Sequence, residues 1–232
     1  MRLSLYRRNL YRRHFIAAGV LAALAGTWPA AGAAIAARPA GTILVVGDSL
    51  SAEYGLKRGS GWVALLESKL KAEKLPATVV NASISGDTTS GGRSRLAGLL
   101  AQHQPTHVII ELGGNDALRG LSLRLTEDNL NQMTQAAQKA GARVLLIGMQ
   151  VPPNYGKDYG ARFAALFADV AKANKAALVP FLLKGIADAP NGTAGNSDDN
   201  TRLFQADRIH PREEAHPVML ANVWPELKKL LK

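Results

Sequence analysis

Short apolar runs alternate with longer amphipathic stretches along the chain from residue 41 onward. Brief runs rich in β-branched residues favour buried strands, whereas apolar residues repeating every three or four positions favour helices. Five runs predict strands, at 42–46, 77–82, 108–112, 144–147 and 178–182. The last run contains Pro180, which lacks a backbone N–H, so we expect that strand at an edge of the sheet.

Helical spacing appears between these runs and after the last of them. It predicts helices around 62–70, 96–100, 127–140, 163–170 and 218–231. Strands that are apolar almost throughout, alternating with helices, are typical of a parallel sheet covered on both faces. The prediction is a single α/β domain with three layers and about five strands, without internal repeats.

The first 37 residues resemble a secretory signal peptide, with a basic stretch ending at Arg13, the apolar run Phe15–Ala25 and then small residues. Arg12-Arg13 also resembles a twin-arginine export signal. We expect cleavage near Ala33 to Ala37, a mature domain at 38–232, and a periplasmic or secreted protein. An uncleaved anchor or a buried helix is the alternative. An intact N-terminus on protein recovered from a periplasmic fraction would contradict cleavage.

Composition narrows the possible functions. The 232 residues are 47% hydrophobic and contain no cysteine, which excludes disulfides, cysteine nucleophiles and thiolate metal sites. The formal charge is +10, but five of the arginines lie within the first 13 residues; without them 23 basic residues face 18 acidic ones, leaving +5. The remaining basic residues are scattered, so the charge gives little support to nucleic-acid binding.

Ser49 directly follows the first predicted strand, within Gly47-Asp48-Ser49-Leu50-Ser51. In an open parallel sheet, ligands bind at the carboxyl ends of the strands. Ser49 is therefore a candidate nucleophile, provided that a base and an oxyanion site accompany it. Asp48 is expected to organise the turn rather than to act as the catalytic acid. The Gly-x-Ser-x-Gly elbow of α/β-hydrolases is absent, because Ser51 replaces its last glycine.

Three further segments offer the missing partners. Gly86 can bring its backbone N–H close to a ligand, and the Asn115 amide can donate to developing negative charge. Asp207 lies three residues before His210, so its carboxylate can hold the Nδ1–H and leave Nε2 free as a base. Each segment alone is also an ordinary turn sequence. Together with Ser49 they supply the parts of a serine acyl hydrolase.

These blocks resemble the SGNH, or GDSL, hydrolase family. Further segments resemble its bacterial periplasmic thioesterase I, lysophospholipase and arylesterase subgroup; they are 52–55, 81–88, 153–156 and 222–225. The resemblance covers residues 42 to 231. It implies a flavodoxin-like α/β/α sandwich and an esterase whose substrates are small-molecule acyl esters or thioesters.

The resemblance also implies roles for single residues. Ser49 would be the nucleophile, His210 the base and Asp207 its partner. The Ser49 N–H, the Gly86 N–H and the Asn115 amide would form the oxyanion hole. No metal or cofactor is needed. The segment 117–122 would line the acyl site and move on binding, and the expected substrate contacts are Leu118, Arg119, Tyr155 and Arg208.

Two departures from the subgroup bear on substrate preference. Arg208 stands where the subgroup usually has glycine, and its guanidinium either binds an acidic leaving group or is a neutral surface change. The segment 191–202 also looks longer than usual. A carbohydrate acetyl esterase and a non-catalytic binding protein on the same fold remain alternatives. We expect a monomer without nucleic-acid partners that makes at most transient contact with lipid.

Overall fold

The computed structural model describes residues 41–187 and 202–232. The predicted signal peptide at 1–37 lies outside these residues, as does almost all of the segment at 191–202. Within the described part, no helix is long and apolar enough to cross a membrane.

A five-stranded parallel sheet forms the centre of the domain, in the order β2-β1-β3-β4-β5. Sequence patterning places all five strands within a few residues. The predicted α/β sandwich is confirmed, and β5 lies at an edge as Pro180 indicated. The strands are β1 (Gly41–Gly47), β2 (Ala77–Asn81), β3 (His107–Glu111), β4 (Arg143–Ile147) and β5 (Ala177–Val179).

Six α-helices in the described residues connect and cover these strands. Two short 3₁₀ turns, Pro153–Tyr155 and Glu213–Ala215, precede α5 and α6. The helices are α1 (Trp62–Ala72), α2 (Thr89–His103), α3 (Gly114–Leu118), α4 (Leu123–Lys139), α5 (Lys157–Asn174) and α6 (His216–Leu230).

The core lies against the three inner strands. All five residues of β3 are buried, as are four of the five residues of β4. Burying one large aliphatic side chain contributes roughly 1.5–3 kcal/mol, so the buried strand residues contribute substantially to the stability of the fold. Polar groups are scarce there, which makes the carboxyl of Glu111, at the end of β3, conspicuous.

The direction of the crossovers reverses between β1 and β3. The connection from β1 to β2 runs one way along the sheet, and the next three connections run the other way. Right-handed crossovers then place α1 on one face, where it packs with α6, and α2, α4 and α5 on the other. In sheets of this order a crevice opens at the reversal, outside the carboxyl ends of the two strands. Ser49 follows β1 and Asn115 follows β3, so both residues lie at this crevice.

One local prediction was wrong, and one helix was not predicted. The fifth strand ends at Val179 rather than at 182, because Pro180 cannot continue the ladder. The unpredicted helix is α3, which begins within Gly113–Asp116, a segment that alone is also an ordinary turn sequence. Gly113 has a φ of 121°, which turns the chain sharply out of β3 and starts the helix within one residue.

Candidate active site

Ser49 lies in a tight turn at the carboxyl end of β1. The Asp48 carboxylate accepts a hydrogen bond from Leu50 N at 3.0 Å, and Ser51 N donates to the Asp48 carbonyl at 3.2 Å. Gly47 permits this turn, since a Cβ there would lie 2.8 Å from Glu111 Oε2 and 2.9 Å from Ser51 Oγ. Asp48 thus organises the turn, as expected.

Ser49, His210 and Asp207 form a continuous chain of hydrogen bonds. Ser49 Oγ lies 2.8 Å from His210 Nε2, and His210 Nδ1 lies 2.7 Å from Asp207 Oδ2. A carboxylate only accepts, so the neutral imidazole carries its hydrogen on Nδ1 and presents the lone pair of Nε2 to the serine hydroxyl. The structure therefore brings the nucleophile, base and acid of the sequence prediction into contact.

Backbone donors hold the Asp207 carboxylate in place. Burial acts to raise its pKa. However, hydrogen bonds from His210 N and Ile209 N, with that from the imidazole, lower the pKa of Asp207 to about 2. Asp207 is consequently ionised throughout the neutral pH range and can stabilise a positive charge on the imidazole.

The loop that carries His210 is tied to the loop after β1. Gln205 Nε2 donates to the Tyr54 carbonyl at 2.9 Å, and Gln205 N donates to the His210 carbonyl at 2.8 Å. The ring of Tyr54 lies against the imidazole, with ring centroids 4.3 Å apart. Gly55 makes this approach possible, since a Cβ there would lie 2.1 Å from Gln205 Oε1.

The two backbone N–H groups of the predicted oxyanion hole have no acceptor among the described residues. Within the described residues, neither Ser49 N nor Gly86 N donates to any group. Gly86 has a φ of 79°, a conformation in which a side chain is strained, so glycine is needed for its backbone rather than for space. Arg119 Nη2 donates to the Gly86 carbonyl at 2.8 Å and so fixes this peptide.

Asn115 is held by the residue before the nucleophile. Its Nδ2 donates to Asp48 Oδ2 at 3.0 Å, which leaves the second hydrogen of the amide for another acceptor. The next residue, Asp116, is buried and accepts from Thr89 N at 2.9 Å and from Thr126 Oγ1 at 3.3 Å. These bonds tie α3 to α2 and α4, and thereby fix the position from which Asn115 extends.

An apolar cavity of about 490 Å³ opens beside Ser49. Of the four substrate contacts predicted from sequence, Leu118, Tyr155 and Arg208 line it, whereas Arg119 lies outside the lining. Its walls are mainly aliphatic and aromatic, with Met149, Val151, Phe163, Phe181, Leu183 and Phe204 among them. Within residues 41–187 and 202–232, no cluster of three or more His, Asp or Glu side chains is placed to hold a metal ion.

The sequence model of the GDSL-like lipase/acylhydrolase family matches residues 45–218. The chain belongs to this family. It is 50% identical over 190 residues to the esterase TesA of Pseudomonas aeruginosa, covering 82% of this chain and 89% of that protein. It is 39% identical over 195 residues to thioesterase 1/protease 1/lysophospholipase L1 of Escherichia coli, covering 84% and 87%.

Solved structures agree with this membership. A crystal structure of TesA superimposes with a TM-score of 0.74 at 50% identity, covering 82% of this chain and 99% of that one. The chain is thus an ester hydrolase of the GDSL-like family.

A buried carboxyl lies next to the turn that carries Ser49 in this GDSL-like hydrolase. Glu111 is fully buried; its Oε2 accepts from Ser51 Oγ at 2.7 Å and from Asp48 N at 3.3 Å. Trp62 Nε1 donates to the same hydroxyl at 3.2 Å. Burial raises the pKa of Glu111 well above its usual value, and the neighbouring Asp48 raises it further. Burial likewise raises the pKa of Asp48 to about 6.

Sequence reasoning missed the contributions of Glu111, Tyr54 and Gln205. A carboxylate that ends an otherwise apolar strand was a usable signal for Glu111, because such a residue is buried and must find donors. No sequence pattern indicates that Gln205 bonds to the Tyr54 backbone.

We predict that Glu111→Gln makes folding stability less dependent on pH. The folded pKa of Glu111 lies above its unfolded value of 4.5, so the folded state binds the extra proton. The stability gained from this proton is fully present below pH 4.5, and it is lost as the pH rises through the folded pKa of Glu111. Each unit by which the pKa is raised corresponds to about 1.4 kcal/mol.

Urea denaturation from about pH 5 to about pH 8 measures this effect. We expect Glu111→Gln to gain stability relative to the wild type as the pH rises, whatever constant offset the new amide introduces. The exposed Glu214→Gln is the control and should follow the wild-type curve. Parallel curves for Glu111→Gln and the wild type would contradict a raised pKa.

Proposed function

We propose that this protein is a serine esterase that hydrolyses acyl esters and thioesters through an acyl-enzyme on Ser49. The observation that carries the proposal is the hydrogen-bonded chain from Ser49 Oγ through His210 to Asp207, at 2.8 and 2.7 Å, which opens into an apolar cavity. A hydroxyl hydrogen-bonded to a neutral imidazole is the arrangement that nucleophilic acyl transfer requires.

In the first half-reaction, Ser49 Oγ attacks the carbonyl carbon while His210 Nε2 takes the hydroxyl proton. Asp207 keeps the imidazole in its tautomer and stabilises the imidazolium. His210 then returns the proton to the leaving oxygen or sulfur as the bond to the acyl group breaks. In the second half-reaction, water attacks the acyl-enzyme with His210 again as base, which releases the carboxylic acid.

Three donors would stabilise the oxyanion, namely Ser49 N, Gly86 N and the second hydrogen of Asn115 Nδ2. Both backbone groups lack an acceptor among the described residues, as donors reserved for a transient charge should. The amide N–H of Asn115 can donate a hydrogen bond to the oxyanion, whereas a carboxylate at this position would repel it.

The cavity favours an apolar acyl group. It has a volume of about 490 Å³, and residues from the ends of several strands and helices form mostly apolar walls. Oxyesters and thioesters are both expected substrates, since the relatives are called an esterase and a thioesterase/lysophospholipase. The catalytic groups act on the carbonyl that both ester types share.

A carbohydrate acetyl esterase is not favoured, because an acetyl group would leave most of this apolar cavity empty. An acyl-length series of p-nitrophenyl esters and coenzyme A thioesters discriminates between the two functions. We expect medium or long acyl groups to be preferred on both leaving groups. Higher activity on acetylated sugars than on any longer acyl ester would favour the alternative.

We propose further that the N-terminal segment is cleaved between about Ala33 and Ala37 and that the mature protein works outside the cytoplasm. We also propose that the mature protein is a monomer. The basic, apolar and small-residue order of the N-terminus supports export. N-terminal sequencing of the periplasmic protein and light scattering of the mature chain test the two statements; a dimer would contradict the second.

Ser49→Ala is predicted to abolish hydrolysis of p-nitrophenyl esters and labelling by a fluorophosphonate probe. The substitution removes only the nucleophilic oxygen, so the melting temperature should stay close to that of the wild type. Ser60→Ala, at an exposed loop serine hydroxyl, is the matched control and should retain labelling. Turnover or labelling retained by Ser49→Ala would refute this nucleophile.

Asp48→Asn is predicted to lower kcat through Asn115 rather than through the fold. Asp48 Oδ2 accepts one hydrogen of the Asn115 amide and so directs the other hydrogen, not the carbonyl oxygen, toward the substrate. An amide at position 48 can donate as well as accept, so it no longer selects the orientation in which Asn115 directs its N–H toward the substrate. We expect kcat to fall about 100- to 1000-fold, the typical loss of one oxyanion donor, with KM little changed.

A double-mutant cycle with Asn115→Ala tests this route of action. If Asp48 works by orienting the amide, Asp48→Asn should cost almost nothing once that amide is gone, and the double variant should match Asn115→Ala. Multiplicative losses in kcat would show that Asp48 acts elsewhere. Melting temperatures of all three variants separate catalysis from unfolding.

A further inference from the structure

Arg208 occupies a backbone conformation that suits glycine. It lies between Asp207 and His210 with a φ of 57°, in the left-handed region where a side chain costs free energy that glycine avoids. The loop imposes this conformation, since Arg208 N donates to the Gln205 carbonyl at 2.9 Å. Glycine would satisfy the same backbone geometry without strain, so what arginine adds at this position is its side chain.

The Arg208 guanidinium has no polar partner among residues 41–187 and 202–232. Its side chain lines the cavity next to Ile209 and His210, yet it forms no ion pair or hydrogen bond that involves the described residues. Other arginines around the site differ in this respect. Arg119 donates to the Gly86 carbonyl, and Arg95 is paired with Asp87. A strained residue that carries an unused cation at a reactive site points to a ligand.

The chemistry of the site indicates which part of a substrate would meet this cation. His210 Nε2 must protonate the leaving atom, so the leaving group lies on the His210 side of the scissile carbonyl. Arg208 extends from the same loop, two residues before His210. The acyl group occupies the apolar part of the cavity, where an anion would be poorly solvated. Negative charge near Arg208 therefore belongs to the leaving group.

Resting on the proposed function, we propose that Arg208 is a specificity-determining residue that binds a phosphate group in the leaving group of the ester or thioester. A guanidinium matches phosphate through two parallel N–H donors, and arginine keeps its charge at any relevant pH. Phosphate of this kind occurs in the glycerol phosphate of a lysophospholipid and in coenzyme A, so both sources share the chemistry.

Matched substrate pairs test the proposal on the full mature chain. One pair is a short-chain monoacylglycerol and the lysophosphatidic acid with the same acyl group. The other is an acyl-pantetheine and the corresponding acyl-coenzyme A. All are used as monomers below their critical micelle concentrations. In each pair the phosphate is the main difference, and the two pairs distinguish the glycerol phosphate from coenzyme A.

Arg208→Gln should lower kcat/KM for the phosphorylated member of at least one pair by about 10- to 100-fold, the range expected for hydrogen bonds to a charged group. The neutral member should change less than about twofold. Arg208→Gly should lose the same preference while its melting temperature rises, because the strained φ is relieved. Lys139→Gln, an equal charge change at the exposed end of α4 away from the site, is the control and should leave both pairs unchanged.

Three results would overturn the proposal. Equal losses on both members of each pair would make Arg208 a support for the triad, and no loss on any substrate would make it a surface residue. If Lys139→Gln lowered kcat/KM for the phosphorylated substrates as much as Arg208→Gln does, the preference for phosphate would come from the overall charge of the protein. Failure of the proposed function is separately visible, because the wild type would then hydrolyse neither the neutral nor the phosphorylated esters.

Discussion

The hydrogen bonds of buried Glu111 join the carboxyl ends of β1 and β3, and the site depends on this junction. The turn that carries Ser49 follows β1, and the segment that carries Asn115 follows β3. One carboxyl oxygen at the end of β3 accepts from Ser51 Oγ and from Asp48 N on either side of Ser49. A carboxyl in that position is costly to bury, and its raised pKa records the cost. The buried carboxyl thus costs free energy of desolvation, and its hydrogen bonds hold the turn around Ser49 in place.

The remaining parts of the site reach this junction from distant points in the chain. Asp207 and His210 arrive on a loop that is fastened by Gln205 to the Tyr54 backbone, and Gly86 arrives on the loop after β2. None of these loops is rigid through its own secondary structure. Each is held by a side-chain bond to a backbone carbonyl, from the neutral amide of Gln205 in one case and from the guanidinium of Arg119 in the other. Because the crossover direction reverses between β1 and β3, the loops that follow these strands lie at one crevice.

The sequence was sufficient for most of the elements and for naming Ser49, Asp207 and His210, which the fold brings together, because both follow from local patterns. Apolar runs of five residues identify strands, and Asp207 three residues before His210 suggests a pair on one turn. The helix beginning at Gly114 was missed, since it depends on the φ of Gly113 and on the bonds of Asp116 to two other helices. The Tyr54 contact with His210 joins residues far apart in sequence, so no window of sequence contains it.

The pKa values of two aspartates near Ser49 are shifted in opposite directions, and this difference explains why Asp207 rather than Asp48 suits His210. Asp207 is partly exposed and receives three hydrogen bonds, which outweigh burial and lower its pKa to about 2. Asp48 is almost fully buried beside Glu111, and burial outweighs its donors and raises its pKa to about 6. In the proposed mechanism the partner of the imidazolium has to stay ionised, and the low pKa of Asp207 meets this requirement. Asp48 needs only to accept a hydrogen from Asn115, a task for which proximity matters more than a permanently low pKa.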